Sequence, residues 1–227
     1  MDFHHRLLAS TAEERAALLA APIIQRTLRG EVWLPSYVAF LTEAYHHVSH
    51  TATLLAACKA RLPPRLAWLA PELDHYIAEE TGHDEWILDD IAACGGDPAA
   101  VRRGQPRPAT ELMVAYAYDT IARGNPVGFF GMVLVLEGTS VALALQAADR
   151  IRQALRVPDS ALSYLRSHGE LDREHIAHFA RLMSRLDDPA DQQAVIHAAQ
   201  MFYRLYGDVF RSLPLPAVQR VAAEAPA

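Results

Sequence analysis

Apolar positions recur at three- and four-residue intervals along nearly the whole chain, and no useful stretch alternates apolar with polar residues. Breakers divide this pattern into seven predicted helices. The first covers about 11–29 and is closed by Gly30. The second runs from Ser36 to about 61, ahead of Pro63-Pro64, and the third from about 67 to 94, stopped by Gly95-Gly96. An Arg/Gly/Pro loop follows over 97–108, then a fourth helix capped by Thr110 and ending before Gly124-Asn125-Pro126. The fifth, about 127–155, is the most apolar segment; the sixth, from Asp159 or Ser160 to about 186, ends at Asp187-Asp188-Pro189. The seventh occupies about 191–212. The pattern predicts an all-α, single-domain seven-helix bundle over residues 1–213, with a flexible tail over 214–227.

Composition supports this reading. Ala and Leu dominate, and 227 residues suffice for one core. The net charge of −6, with Lys59 the single lysine, gives no basic stripe and excludes nucleic acid as an expected partner. Cys58 and Cys94 are too few for a disulfide framework, and the N-terminus lacks the basic-then-apolar order of a signal peptide. No apolar run is read as long enough to span a bilayer. The expectation is a cytoplasmic protein with no membrane partner.

Chemistry concentrates in a few places. In the sixth helix, "HGELDREH" sets His168, Asp172 and His175 on one helical face about two turns long. Two imidazoles and a carboxylate suit iron, manganese or zinc; a solvated polar stripe is the alternative. His178, one turn on, reads as a supporting or packed histidine. In the third helix, "HYIAEETGHDEW" puts Glu80 and His83 at the Glu-x-x-His spacing used by carboxylate-bridged dimetal bundles, with Glu79 an equally good partner. The neighbouring acids make a surface patch the competing reading. In the fifth helix, Glu137 is the one ionisable residue within "NPVGFFGMVLVLEGTSVALALQAA". An unpaired buried carboxylate costs several kcal/mol, so Glu137 needs a metal or an arginine. Gly128, Gly131 and Gly138 beside it suit close helix approach or a substrate passage. Glu79 or Glu80 with His83, Glu137, His168, Asp172 and His175 make three imidazoles and three carboxylates from three helices. That number suits two metal ions with open positions.

A second histidine cluster, "EAYHHVSHT", lies on the second helix. Tyr45 and His47 are its candidates for lining a catalytic pocket, with Glu43 and His47 left open as further metal donors. Tyr116, Tyr118, Asp119 and Arg123 are candidates for the same cavity. Tyr203, Arg204 and Tyr206 could receive a carboxylate.

The order Glu…His, a lone Glu two helices later and then His-x3-Asp-x2-His resembles the heme-oxygenase-like diiron oxidases. Within them it is similar to the branch of the chlamydial death-domain-associated protein and the iron-containing redox enzymes. The resemblance spans about 23–213. It implies a heme-oxygenase-like (TenA/PqqC-like) bundle with two iron ions, or manganese, held by Glu79 or Glu80, His83, Glu137, His168, Asp172 and His175. It also implies dioxygen as co-substrate, an external reductant, and a small molecule of the amino acid, amine or fatty acid class as substrate. A homodimer is compatible with such bundles. The same superfold holds metal-independent TenA- and PqqC-like enzymes acting on heterocycles. Against a thiaminase, the fifth helix has no cysteine, and Ala44-Tyr45 stands where that group has Asp-Tyr.

Overall fold

The computed structural model describes residues 2–216, apart from the side chains of residues 170, 171 and 173. Those residues are helical, with no strand among them. In chain order the helices are α1 (Phe3–Ser10), α2 (Ala12–Leu19), α3 (Pro22–Leu28), α4 (Leu34–Val48), α5 (Thr51–Ala60) and α6 (Ala70–Glu80). They continue as α7 (His83–Ala93), α8 (Pro98–Arg103), α9 (Pro108–Arg123), α10 (Phe130–Leu155), α11 (Ser163–Ser184) and α12 (Pro189–Ser212).

The all-α class stands, but three of the seven predicted helices are broken and two short ones are added. The first divides into α2 and α3 because Ala21 precedes Pro22 and is extended, with ψ 133°. The second divides into α4 and α5 where the chain tightens at Ser49-His50, His50 N–H reaching the His47 carbonyl at 3.2 Å. The third divides into α6 and α7 at Thr81-Gly82, inside the Glu-x-x-His motif. Helix α1 starts before the expected boundary, capped by Asp2 accepting from His5 N at 2.9 Å. Helix α8 forms inside the expected loop, where the Asp97 carboxylate accepts from the N–H groups of Ala99 and Ala100. Pro214 is tied down by Ser36 Oγ, which donates to its carbonyl at 2.6 Å. From residue 217 onward the expected tail lies outside the described residues.

Helix α10 is the axis of the bundle, packed along α11 and α12. With the 3-10 turn Pro126–Phe129 before it, this stretch holds an 18-residue window of mean hydropathy 1.8, long and apolar enough to cross a bilayer by length and composition. That corrects the expectation that no run reaches such length. Its apolar window is 67% buried in the bundle, where it packs against Phe179, Phe202 and Tyr203. Gly131 allows the closest approach: a Cβ there would lie 2.5 Å from the Ala199 backbone nitrogen.

Two helices take their N-terminal caps from elsewhere. Glu43 of α4 accepts from Arg107 N at 3.0 Å and from Thr110 Oγ1 at 2.5 Å, holding the start of α9. Thr110, expected as the cap itself, instead sits inside the first turn. The fully buried Asp90 of α7 accepts from the backbone N–H groups of Ser163 and Tyr164, both at 3.0 Å, and from Ser163 Oγ. These contacts satisfy donors that α9 and α11 cannot satisfy internally.

Candidate metal centre

Helices α6, α7, α10 and α11 bring two groups of possible metal donors together. One comprises Glu80, His83 and His168; the other Glu137, Asp172 and His175. Within each group the donor atoms lie within 4.8 Å of one another. Within the first, His83 and His168 meet ring to ring at 4.8 Å; within the second, His175 Nδ1 lies 3.7 Å from Glu137 Oε1. The groups adjoin, because His168 of the first and Asp172 of the second stand one turn apart on α11, and Glu80 of the first is near enough to Glu137 of the second to act on its charge. The second group is wholly buried, whereas Glu80 and His168 of the first are half-buried.

The second group follows helical spacing. Asp172 and His175 share one face of α11, with His175 Nδ1 3.3 Å from Asp172 Oδ1. Glu137 faces them from the middle of α10. The first group depends on a backbone break. Thr81 is extended and Gly82 adopts φ +95°, the left-handed region that favours glycine, so Glu80 ends α6 and His83 opens α7. The expected single-turn motif is therefore replaced by a kinked one. It still places His83 Nδ1 3.1 Å from Glu80 Oε2. His83 also stacks on Trp86 at 4.1 Å.

The two adjacent glutamates separate by contact. Glu80 joins His83 and His168, while Glu79 lies with Oε2 3.3 Å from His175 Nε2 and Oε1 3.3 Å from His75 Nε2. His168 Nδ1 donates to the Tyr164 carbonyl at 3.1 Å, which leaves Nε2 as the free lone pair. The structure thus supplies the outer partners that orient imidazole donors.

Electrostatics fit a cation. Burial, then the carboxylates of Asp172, Glu80 and Glu79, raise the Glu137 carboxyl well above the usual range. Its Oε2 is buried without a hydrogen-bond partner. The hydrogen bond to Asp172 raises His175 despite partial burial, whereas burial lowers His168 against the pull of Asp172 and Glu80. Burial opposes ionisation of Glu80, but its hydrogen bond to His83 and the imidazoles of His168 and His175 prevail and lower it. Carboxylates crowded this way repel one another until a positive ion shares them.

A cavity of about 170 Å³ reaches this centre, with Glu80, Glu137, His168 and Asp172 on its wall. His47 lines it as expected, fully buried, its ring edge-on to Tyr206 at 5.7 Å. Burial, then His168, His50 and His46, lower His47 to about 3, so its imidazole stays neutral. Tyr45 does not line the cavity: it packs in the apolar cluster of α4 and α7, edge-on to His46. Two residues along a helix turn a side chain by about 200°, which separates Tyr45 from His47. Glu43 is spent on the α9 cap.

The remaining candidates divide in a similar way. Tyr118 bonds to His50 at 3.0 Å, Tyr116 packs on Phe202, and Asp119 pairs with Arg123 on the surface, none of them on the cavity wall. Arg204 pairs with Glu14 at 3.1 Å and Tyr203 is buried, both away from this cavity; of the three, Tyr206 faces it. His178 lies 3.1 Å from Glu72, outside both donor groups. Sequence reasoning missed Tyr76 and Tyr164, buried phenols on the same wall.

The family profile described as iron-containing redox enzyme matches residues 38–207. No curated protein compared with the chain matches it. Among solved structures, a domain of unknown function with a heme oxygenase-like fold from Shewanella denitrificans is 24% identical, with TM-score 0.81, 92% of this chain and 90% of that one covered. A TenA homologue from Pseudomonas syringae is 13% identical at TM-score 0.75, with 91% of each chain covered. A CADD-like protein of unknown function from Nostoc punctiforme is 16% identical at TM-score 0.63, with 92% of this chain and all of that one covered. These likenesses establish the heme oxygenase-like helical fold. With three-quarters of its length matched by the profile, the chain belongs to the family of iron-containing redox enzymes.

Proposed function

We propose that the protein is a non-haem diiron oxygenase or oxidase that uses dioxygen to oxidise a small molecule. The observation that carries this reading is the pair of adjoining three-donor groups beside one cavity. Glu80, His83 and His168 would hold one ion; Glu137, Asp172 and His175 would hold the other. Mixed nitrogen and oxygen donors suit iron, with manganese the nearest competitor. When bound, the two ions supply the dioxygen chemistry that side chains alone lack, with electrons from an external reductant.

The chain's own residues prepare that chemistry. Glu79 Oε2 lies 3.3 Å from His175 Nε2, placed to take the proton of that nitrogen and leave Nδ1 toward Glu137 and Asp172. The Tyr164 carbonyl turns His168 Nε2 inward. The apolar side chains of Met132, Val133, Leu136 and Leu143 on the wall restrict water at the reacting centre. Protein reconstituted with ferrous iron without oxygen should bind two iron ions per chain, and Glu137→Ala or His168→Ala should each remove at least one. Full iron in both variants, or oxidation that persists in chelator, would sink the reading.

A further inference from the structure

Resting on the diiron reading, we propose that the substrate is an elongated, mainly aliphatic molecule with one uncharged hydrogen-bonding group, received by His47 beside the metal centre. Three features of the cavity carry this.

The first is shape. The cavity opens at Trp33 and Leu215, which are 40% and 41% exposed, and extends inward to Glu80, Glu137, His168 and Asp172. Helix α4 lines it from Ser36 to Val48, about 18 Å, and α10 from Glu137 to Ile151, about 21 Å. A volume of about 170 Å³ along such a length is a narrow passage. Between mouth and centre its wall is apolar, with Phe40, Leu143, Ala147, Ile151 and Phe210.

The second is charge. Among the described residues on this wall, Arg26 is the one arginine or lysine. Its Nε lies 3.3 Å from Glu31, which Arg29 also holds at 2.8 Å. The other acids on the wall belong to the donor groups. A free amino acid would bring both an ammonium and a carboxylate into a passage with no uncommitted counter-charge, and unpaired ions are costly in such surroundings.

The third is the unmet hydrogen-bonding capacity. His47 is 1% exposed, and among the described residues its Nδ1 has no partner; nor has Ser140 Oγ, one turn from Glu137. A buried polar group without a partner is destabilising, so these atoms call for a ligand that satisfies them. A neutral imidazole offers one donor and one acceptor, which a hydroxyl or amide matches.

Calorimetric titration of the iron-loaded protein, kept free of oxygen, tests this. The probes are straight-chain compounds of equal length ending in a hydroxyl, primary amide, carboxylate, ammonium or α-amino acid group. Hydroxyl and amide probes should bind, tightening roughly fourfold per added methylene until the passage is full, the equivalent of about 0.8 kcal/mol. Charged probes should bind at least about tenfold more weakly. His47→Phe should weaken the hydroxyl probe by about tenfold with iron content unchanged. Ala147→Leu, away from the centre, should cut off the longest probes and spare the short ones. The inference is overturned if α-amino acid or carboxylate probes bind tightest, or if affinity ignores chain length. If His47→Phe fails to fold, the probe series on the natural protein and on Ala147→Leu still decides. The expected probe preference with less than two iron ions per chain would support this inference and overturn the diiron reading.

Discussion

The two donor groups share chemistry but differ in construction. Glu137, Asp172 and His175 stand on continuous helices and are wholly buried; Glu80, His83 and His168 straddle a break between helices and are partly open. Regular helices deliver a deep, rigid trio at the cost of crowding carboxylates in apolar surroundings. The break at Gly82 delivers a shallower trio whose geometry depends on one glycine conformation.

The largest test of this contrast removes a donor from the deep group. Asp172→Asn should abolish iron binding by Glu137 and His175 while leaving one ion in the other group, read as a fall from two iron ions to one by metal analysis. Loss of both ions would show the groups to be one cooperative unit. Next in size is the acid response of the chamber above His168. Below pH 6.5 the unfolded chain protonates residue 47, whereas the folded chain resists until about pH 3. Stability should therefore be intact above pH 6.5 and fall as pH drops, by up to about 1.4 kcal/mol per unit from this residue. His47→Phe should flatten that slope in urea unfolding between pH 7 and 4; an unchanged slope would contradict it.

Gly82→Ala probes the shallow group directly. Forcing φ +95° on a residue with a Cβ should cost about 1–2 kcal/mol, and iron should be lost first from Glu80, His83 and His168. Equal weakening of both groups would erase the distinction. At the small end, Arg102→Ala removes a solvent-exposed pair with Glu85 on α7 and should leave both Tm and iron content unchanged.

The same contrast explains what was legible in the sequence. His168, Asp172 and His175 could be read because helical periodicity is local, and Glu137 because a lone charge in an apolar run must find company. The seven-helix outline followed from prolines and glycines, and the breaks at Ala21 and Gly82 were signalled by Pro22 and by Thr-Gly. Reading through Gly82 placed Glu80 and His83 on one helix, when the motif is held together across a kink. The choice between Glu79 and Glu80 was not local: it depends on His175 approaching one of them from another helix. The roles of Glu43 and Asp90 were equally hidden, because each caps a helix far along the chain. Tyr45 and His47 looked alike in sequence, and only packing shows which one faces the cavity.

The cap that Asp90 provides reaches beyond helix stability. Helix α7 carries both His83 and Asp90, and Asp90 grips the first turn of α11, whose next turn carries His168. The spacing of two donors on separate helices is thus registered by a carboxylate two turns away, before any cation takes part. A scaffold assembled in this order is a mould rather than a clasp. Chelation would empty it without unfolding it, and one metal could replace another in the same folded chain.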